Sequence, residues 1–227
     1  MSEWPATSKE TSIVIVDDHH VLTDALATIF RSQPDLHMQM VGMAESCAAT
    51  REQLLRTCPD VLLLDVLLPD GDGLGMVPEF NRMCPNTQIL VLTALADEKT
   101  LMRAAETGVN GFIIKTQPLS EVIAAIRQAA EGEIAMPTSL LQGLLAQTAH
   151  LRARSVTPTR NPLTPREREI LTHLAQGKSG QDIAAALNIT PLTLRTHIRN
   201  LLEKLGLHSR LEAVSYALSR GLIEPPV

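Results

Sequence analysis

The chain has 227 residues, is 44% hydrophobic and 20% charged, and carries a formal net charge of −5. That balance excludes a disordered or low-complexity chain, and no apolar run approaches the roughly 18 residues of a membrane span. Five aromatic residues (one Trp, one Tyr, three Phe) are too few for a single-strand stacking platform.

The charge is unevenly placed. Residues 1–149 hold 9 basic and 19 acidic side chains, for −10, whereas residues 150–227 hold 11 and 6, for +5. An acidic front and a basic back imply two domains with different partners, the basic one being the candidate for nucleic acid. The first ten residues, MSEWPATSKE, lack an apolar core, so no signal peptide is expected and the protein is assigned to the cytoplasm, with no membrane partner. Cys47, Cys58 and Cys84 form no C-x-x-C pair and are expected to be buried or half-buried thiols.

In chain order, strand-like runs fall at Ile13–Val16, Met38–Gly42, Val61–Leu64, Ile89–Leu92 and Gly111–Ile114. Helical stretches are predicted over 20–33, 46–57, 73–83, 97–107 and 119–131. Alternation of this kind predicts an α/β doubly wound five-stranded parallel sheet, and the continuous apolar runs VLLLD and ILVLT suit strands covered on both faces. Residues 137–152 predict an amphipathic linker helix, and the Pro/Thr/Arg-rich segment after it a hinge. Beyond it everything is helical: 165–176, 180–187, 191–205 and 209–220. The expected organisation is therefore a first domain over 1–132, a linker over 133–162 and an all-α four-helix domain over 163–227.

Ligands of doubly wound sheets bind at the carboxyl ends of the strands. Here the first strand runs into Asp17 and Asp18, the third into Asp65, the fourth into Thr93 and the fifth into Lys115. Clustered carboxylates with room for water suit Mg2+. A carboxylate beside such an ion can attack phosphorus to form an acyl phosphate, with the lysine and the hydroxyl holding the phosphoryl oxygens.

The segments Ile13-Val-Ile-Val-Asp-Asp-His19, Asp65-Val-Leu-Leu-Pro-Asp-Gly-Asp-Gly73-Leu74, Val91-Leu-Thr93-Ala94 and Gly111-Phe-Ile-Ile-Lys115 resemble the receiver domains of response regulators, which have a flavodoxin-like sheet. The resemblance implies that Asp65 is the phosphoacceptor and that Asp17, Asp18, Asp65 and the backbone carbonyl of Leu67 hold Mg2+. It implies that Thr93, Ala94 and Lys115 meet the phosphoryl group, that Thr93 and Phe112 form the switch, and that a sensor histidine kinase is the phosphodonor. His20 and Thr23 stand where many relatives have Pro and Arg; His19 and His20 are read as helix-start residues rather than metal ligands. Leu67 and Leu95, each two residues beyond a site residue, offer no hydrogen bond to an attacking water, so slow self-dephosphorylation is expected.

In the last quarter, Thr164, Pro165 and Glu167 have capping-box order. Asn188 suits a left-handed helix terminator, and Thr190-Pro191 repeats the cap-plus-proline start. Two short helices joined by a tight turn are the helix-turn-helix pattern. In the second helix Leu194, Ile198, Leu201 and Leu205 make the buried stripe, while Arg195 and Arg199 share the outer face. The stretch from Leu163 to Val214 resembles the LuxR-type effector of the NarL/FixJ class, on Leu-Thr-Pro-Arg-Glu-Arg-Glu, Gly177, Ile183-Ala184, Thr193-Leu-Arg-Thr-His197 and Lys204-Leu-Gly-Leu with Ser209-Arg210. It implies double-stranded DNA as partner, Arg195, Thr196 and Arg199 at bases, Lys178, Thr193 and Arg210 at the backbone, and a homodimer formed through 209–220. Gly180 stands where relatives often have Asn.

An enzyme processing nucleotides is disfavoured, since Asp-Asp-His-His after the first strand has no glycine and no P-loop occurs. Self-catalysed phosphoryl transfer to Asp65 is the only reaction expected. The alternative is a phosphorylation-independent transcription regulator whose first domain senses a ligand or partner.

Overall fold

Strands β1 (Thr11–Val16), β2 (Met38–Ala44), β3 (Val61–Asp65), β4 (Gln88–Thr93) and β5 (Gly111–Ile114) run parallel in the order β2-β1-β3-β4-β5. The structure, a computed structural model, describes residues 10–94, 98–137, 140–141, 143–144 and 163–225. Alternate residues of each strand face opposite layers. Ile13, Ile15, Leu63, Leu90, Leu92 and Ile113 pack with Leu26 and Phe30 of α1 (His20–Ser32) and with Val122, Ile126 and Ala129 of α5 (Leu119–Ala130). On the other face Val14, Val16, Leu62, Leu64, Val91 and Phe112 meet α2 (Cys47–Arg56), α3 (Gly73–Met83) and α4 (Glu98–Ala105). Strand order reverses at β1, so the crevice between β1 and β3 is the topological switch point.

Four helices make up the C-terminal part: α6 (Pro165–Ala175), α7 (Gly180–Ala186), α8 (Pro191–Leu205) and α9 (Arg210–Ser219). Each start is capped by a hydroxyl that accepts from the backbone three residues on: Thr164, Ser179, Thr190 and Ser209. The capping box closes reciprocally, Thr164 N donating to Glu167 Oε2 at 2.7 Å and Glu167 N to Thr164 Oγ1 at 3.3 Å. Asn188 takes φ 52° in the turn between α7 and α8, and Gly206 ends α8 at φ 68°.

The expected element order is observed. An antiparallel pair, Leu67–Leu68 with Gly71–Asp72, is too short to leave a sequence pattern. Within the predicted linker helix, residues 140, 141, 143 and 144 are helical and Leu141 and Leu144 are buried. The rest of that helix and the hinge lie outside the described residues.

The cysteine expectation is corrected. Cys58 and Cys84 are disulfide-bonded, Cα to Cα 5.5 Å, and Cys47 alone is a free, buried thiol. Cys58 stands just before β3 and Cys84 ends α3, and the parallel return of the chain to β4 brings these two points together. The 26-residue separation conceals that.

The two parts of the chain touch. The Arg210 guanidinium, from the start of α9, meets Glu133 at 2.5 Å, and α9 packs on α4. Gly108, at φ +91°, lies in the same contact, where a Cβ would meet Asn81 Nδ2 at 2.7 Å and Glu212 and His208 at 3.3 Å.

Candidate functional site

An open cleft of about 500 Å³ lies at the carboxyl ends of β1, β3, β4 and β5, with Asp18, His19, Asp65, Leu67, Thr93, Ala94 and Lys115 among its lining. Asp17 continues the β1 ladder, its N–H donating to Ala44 O at 3.0 Å, so its side chain is buried while Asp18 is exposed. Asp65 ends β3, also buried. Lys115 reaches both carboxylates: Nζ is 2.7 Å from Asp65 Oδ2 and 2.8 Å from Asp17 Oδ2. The contact with Asp17 is too oblique for a hydrogen bond, which leaves that buried oxygen without an aligned donor.

Burial pushes the Asp65 carboxyl above its ordinary pKa, and the neighbouring Asp17 adds to this, against the opposing pull of Lys115. Burial also works against the Lys115 charge, but the carboxylates of Asp17 and Asp65 beside it outweigh it and the ammonium is held above its usual range. Asp17, Asp18, His19 and Asp65 can each offer a ligand atom, all within 4.8 Å of one another. Three carboxylate oxygens beside an unaligned buried one fit a hard divalent cation such as Mg2+. The His19 ring sits 2.7 Å from Asp18 Oδ1 and 3.3 Å from Asp17 Oδ1, while its residue occupies the N-cap of α1.

The rest of the Pro-Asp-Gly-Asp-Gly block is structural support. Asp70 accepts from the N–H groups of Cys47 at 2.8 Å and Ala48 at 3.0 Å, capping α2 from a distance, and these bonds hold its carboxyl below the usual range. Asp72 accepts from Leu74 N at 3.1 Å at the start of α3 and pairs with Arg103 of α4. Gly73 is required by close approach, since a Cβ there would lie 2.1 Å from the Asp65 carbonyl oxygen. The sequence motif gave no sign that Asp70 caps a helix, because its partners Cys47 and Ala48 lie on a distant segment, whereas Asp72 caps the helix that directly follows it.

Thr93 is buried at the end of β4 and Ala94 is exposed beyond it. Leu67 is 77% exposed at the rim; Leu95 lies outside the described residues. Phe112 is turned into the core, 1% exposed, beside Val91.

On α8, Leu194, Ile198 and Leu201 are buried and Arg195, Thr196 and Arg199 are exposed together. Thr193 is exposed, its hydroxyl 2.8 Å from that of Thr190, and Lys178 is exposed with Nζ 3.0 Å from His173 Nδ1. Arg210 stands apart from this face, buried against Glu133. Burial lowers its guanidinium from the usual value, against the pull of Glu133, and the charge of Arg195 adds to that. Arg195, Arg199 and Arg210 line a cleft of about 430 Å³ between the two parts, opposite Asn86, Asn110 and Glu131.

Residues 13–127 match the response regulator receiver domain, and residues 161–217 match the bacterial regulatory proteins of the luxR family. The response regulator protein VraR of Staphylococcus epidermidis is 32% identical over 212 residues, covering 93% of this chain and 98% of that protein. VraR of Staphylococcus aureus is 31% identical over the same share. RcsB of Salmonella typhimurium has a similar fold, with a TM-score of 0.55 at 22% identity over 92% of this chain and 98% of its own. A two-component response regulator of the LuxR family from Aurantimonas sp. SI85-9A1 matches with a TM-score of 0.55 at 22% identity, over 61% of this chain and 98% of its own. With a receiver model over half its length and relatives alike from end to end, the chain belongs to the two-component response regulators of the NarL/FixJ class, transcription regulators that join a receiver to a LuxR-type helix-turn-helix domain.

Proposed function

We propose that Asp65 accepts a phosphoryl group from a sensor histidine kinase, with Mg2+, and that this modification controls sequence-specific binding of a homodimer to double-stranded DNA in the cytoplasm. The working units are a receiver over 1–132, a linker over 133–162 and an effector over 163–227. The observation that carries the reading is Lys115 Nζ, held within 2.8 Å of both Asp17 and Asp65 at the bottom of an open cleft.

An Asp65 carboxylate oxygen forms the new P–O bond as the donor's P–N bond breaks. Lys115 then exchanges its contact with Asp65 for the phosphoryl oxygens, while the Thr93 hydroxyl and the Ala94 backbone N–H donate to them. Asp17, Asp18, Asp65 and the Leu67 carbonyl would hold Mg2+, which supplies charge neutralisation at the phosphoryl group. Movement of Thr93 toward the phosphoryl oxygens and a turn of Phe112 form the switch. Leu67 offers an attacking water no hydrogen bond, so the acyl phosphate is slow to hydrolyse.

On DNA, Arg195, Thr196 and Arg199 read base edges from the exposed face of α8. Lys178, Thr193 and Arg210 meet the backbone, Arg210 only once Glu133 has released it. Phosphorylation favours the separated arrangement of the two parts, and α9 pairs two copies.

The test uses the full chain with acetyl phosphate and Mg2+. Wild type is expected to dimerise and gain affinity for its DNA site, and Asp65→Asn to do neither. Equal stimulation of Asp65→Asn by the phosphodonor would overturn the reading.

A further inference from the structure

We infer that Leu192 is a specificity-determining residue of the effector, placing an apolar contact on the 5-methyl group of one thymine in each half-site. The inference rests on the proposed DNA-binding role of α8.

Leu192 is the second residue of α8 and is 74% exposed. Among the described residues of the C-terminal part, it is the only large hydrophobic side chain left open. Leu163, Leu171, Leu174, Leu194, Leu201, Leu211, Leu218 and Leu222 are all buried. A lone exposed leucine is unremarkable on a protein surface at large, so position must decide. Leu192, Arg195, Thr196 and Arg199 fall at i, i+3, i+4 and i+7, a single helical stripe opposite the buried Leu194, Ile198 and Leu201. The stripe rises about 10 Å, roughly three base-pair steps. Leu192 sits at its N-terminal end, the part of a recognition helix that reaches base edges.

Its neighbours sharpen this. The Thr196 hydroxyl donates to Leu192 O at 3.1 Å, and the Thr193 hydroxyl is engaged with Thr190, so the first turn offers the groove few free hydroxyl donors. Leu192 does not line the cleft that holds Arg195 and Arg199. In the major groove the feature that an aliphatic side chain recognises is the thymine methyl.

The full chain, with acetyl phosphate and Mg2+, would first select its preferred duplex from a random pool. Each thymidine of the half-site would then be replaced singly by deoxyuridine, which removes only the methyl. For one position we expect wild type to bind about fourfold more weakly, the effect of one buried methyl-sized group. Leu192→Ser is expected to bind the two duplexes equally, and Leu192→Met to restore the difference. Leu192 is solvent-exposed, so circular dichroism should find both variants folded. A methyl effect that persists in Leu192→Ser, or none at any thymidine in wild type, would overturn the inference while leaving DNA binding intact. Selection of no duplex at all would overturn the DNA-binding reading on which it rests.

Discussion

Lys115 carries the electrostatic balance of the receiver cleft, because it is the one cation that touches both buried carboxylates there among the described residues. Replacing it with Met leaves Asp17 and Asp65 to repel each other in a desolvated place and removes the main influence that pulls the Asp65 carboxyl down, so that carboxyl is raised further in the folded state. A carboxyl raised by folding adds stability below its unfolded pKa and loses it as pH rises through the folded one. Lys115→Met is therefore expected to be destabilised by about 3 kcal/mol at pH 7. The deficit should shrink at acid pH, as the Asp65 carboxyl takes up a proton, and added Mg2+ should restore more stability to the variant than to wild type. Thermal melts at neutral and acid pH, with and without the cation, check this; an equal deficit at both would mean that Lys115 acts only through packing. At this scale the convergence of Asp17, Asp65, Thr93 and Lys115 on one cleft was legible in the sequence, because each directly follows or ends an apolar run, Asp18 comes with Asp17, and topology does the rest. The role of Asp70 was hidden, since a side chain capping a distant helix leaves no local pattern; Asp72 caps its own helix, and what was hidden there is its pairing with Arg103 of α4.

Among elements, the legible ones announced their own ends. Thr164, Glu167 and Pro165 mark the start of α6, Thr190 and Pro191 that of α8, and Asn188 the turn between α7 and α8, all through short-range chemistry. What the chain did not announce is the bond between the residue before β3 and the end of α3. The Cys58–Cys84 crosslink closes a loop with a sequence separation of 26. In the chain-entropy account, closing such a loop in the unfolded state adds about 3.5 kcal/mol of stability. Cys58→Ala/Cys84→Ala is accordingly expected to unfold at lower urea with a deficit of that order, and reduced wild type to fall to the same level. The variant should be insensitive to reductant. A reductant-insensitive wild type would show that the pair is not crosslinked in solution.

The whole molecule couples an acidic part to a basic one through a contact that holds the buried Arg210–Glu133 pair, and no local sequence pattern marks it. Gly180 lies at this contact: a Cβ there would meet Glu133 Oε1 at 2.5 Å, so a larger residue would have to displace the carboxylate that pairs with Arg210. Arg210 is 7% exposed, so removing its partner strands a charge in a desolvated position. Glu133→Gln is expected to weaken the closed arrangement by about 2 kcal/mol, a shift of roughly thirtyfold toward the open one. Small-angle scattering should then show a larger radius of gyration without phosphorylation. DNA affinity should rise as well, because Arg195 and Arg199 no longer face Asn86, Asn110 and Glu131 across the cleft. Arg210→Ala separates the two effects: it breaks the same pair and opens the molecule, but it also removes the DNA-backbone contact proposed for Arg210, so its affinity should not rise in step. If Glu133→Gln leaves both the dimensions and the unphosphorylated DNA affinity of wild type unchanged, the Arg210–Glu133 pair does not hold the two parts together, and the restraint on α8 must come from the packing of α9 on α4.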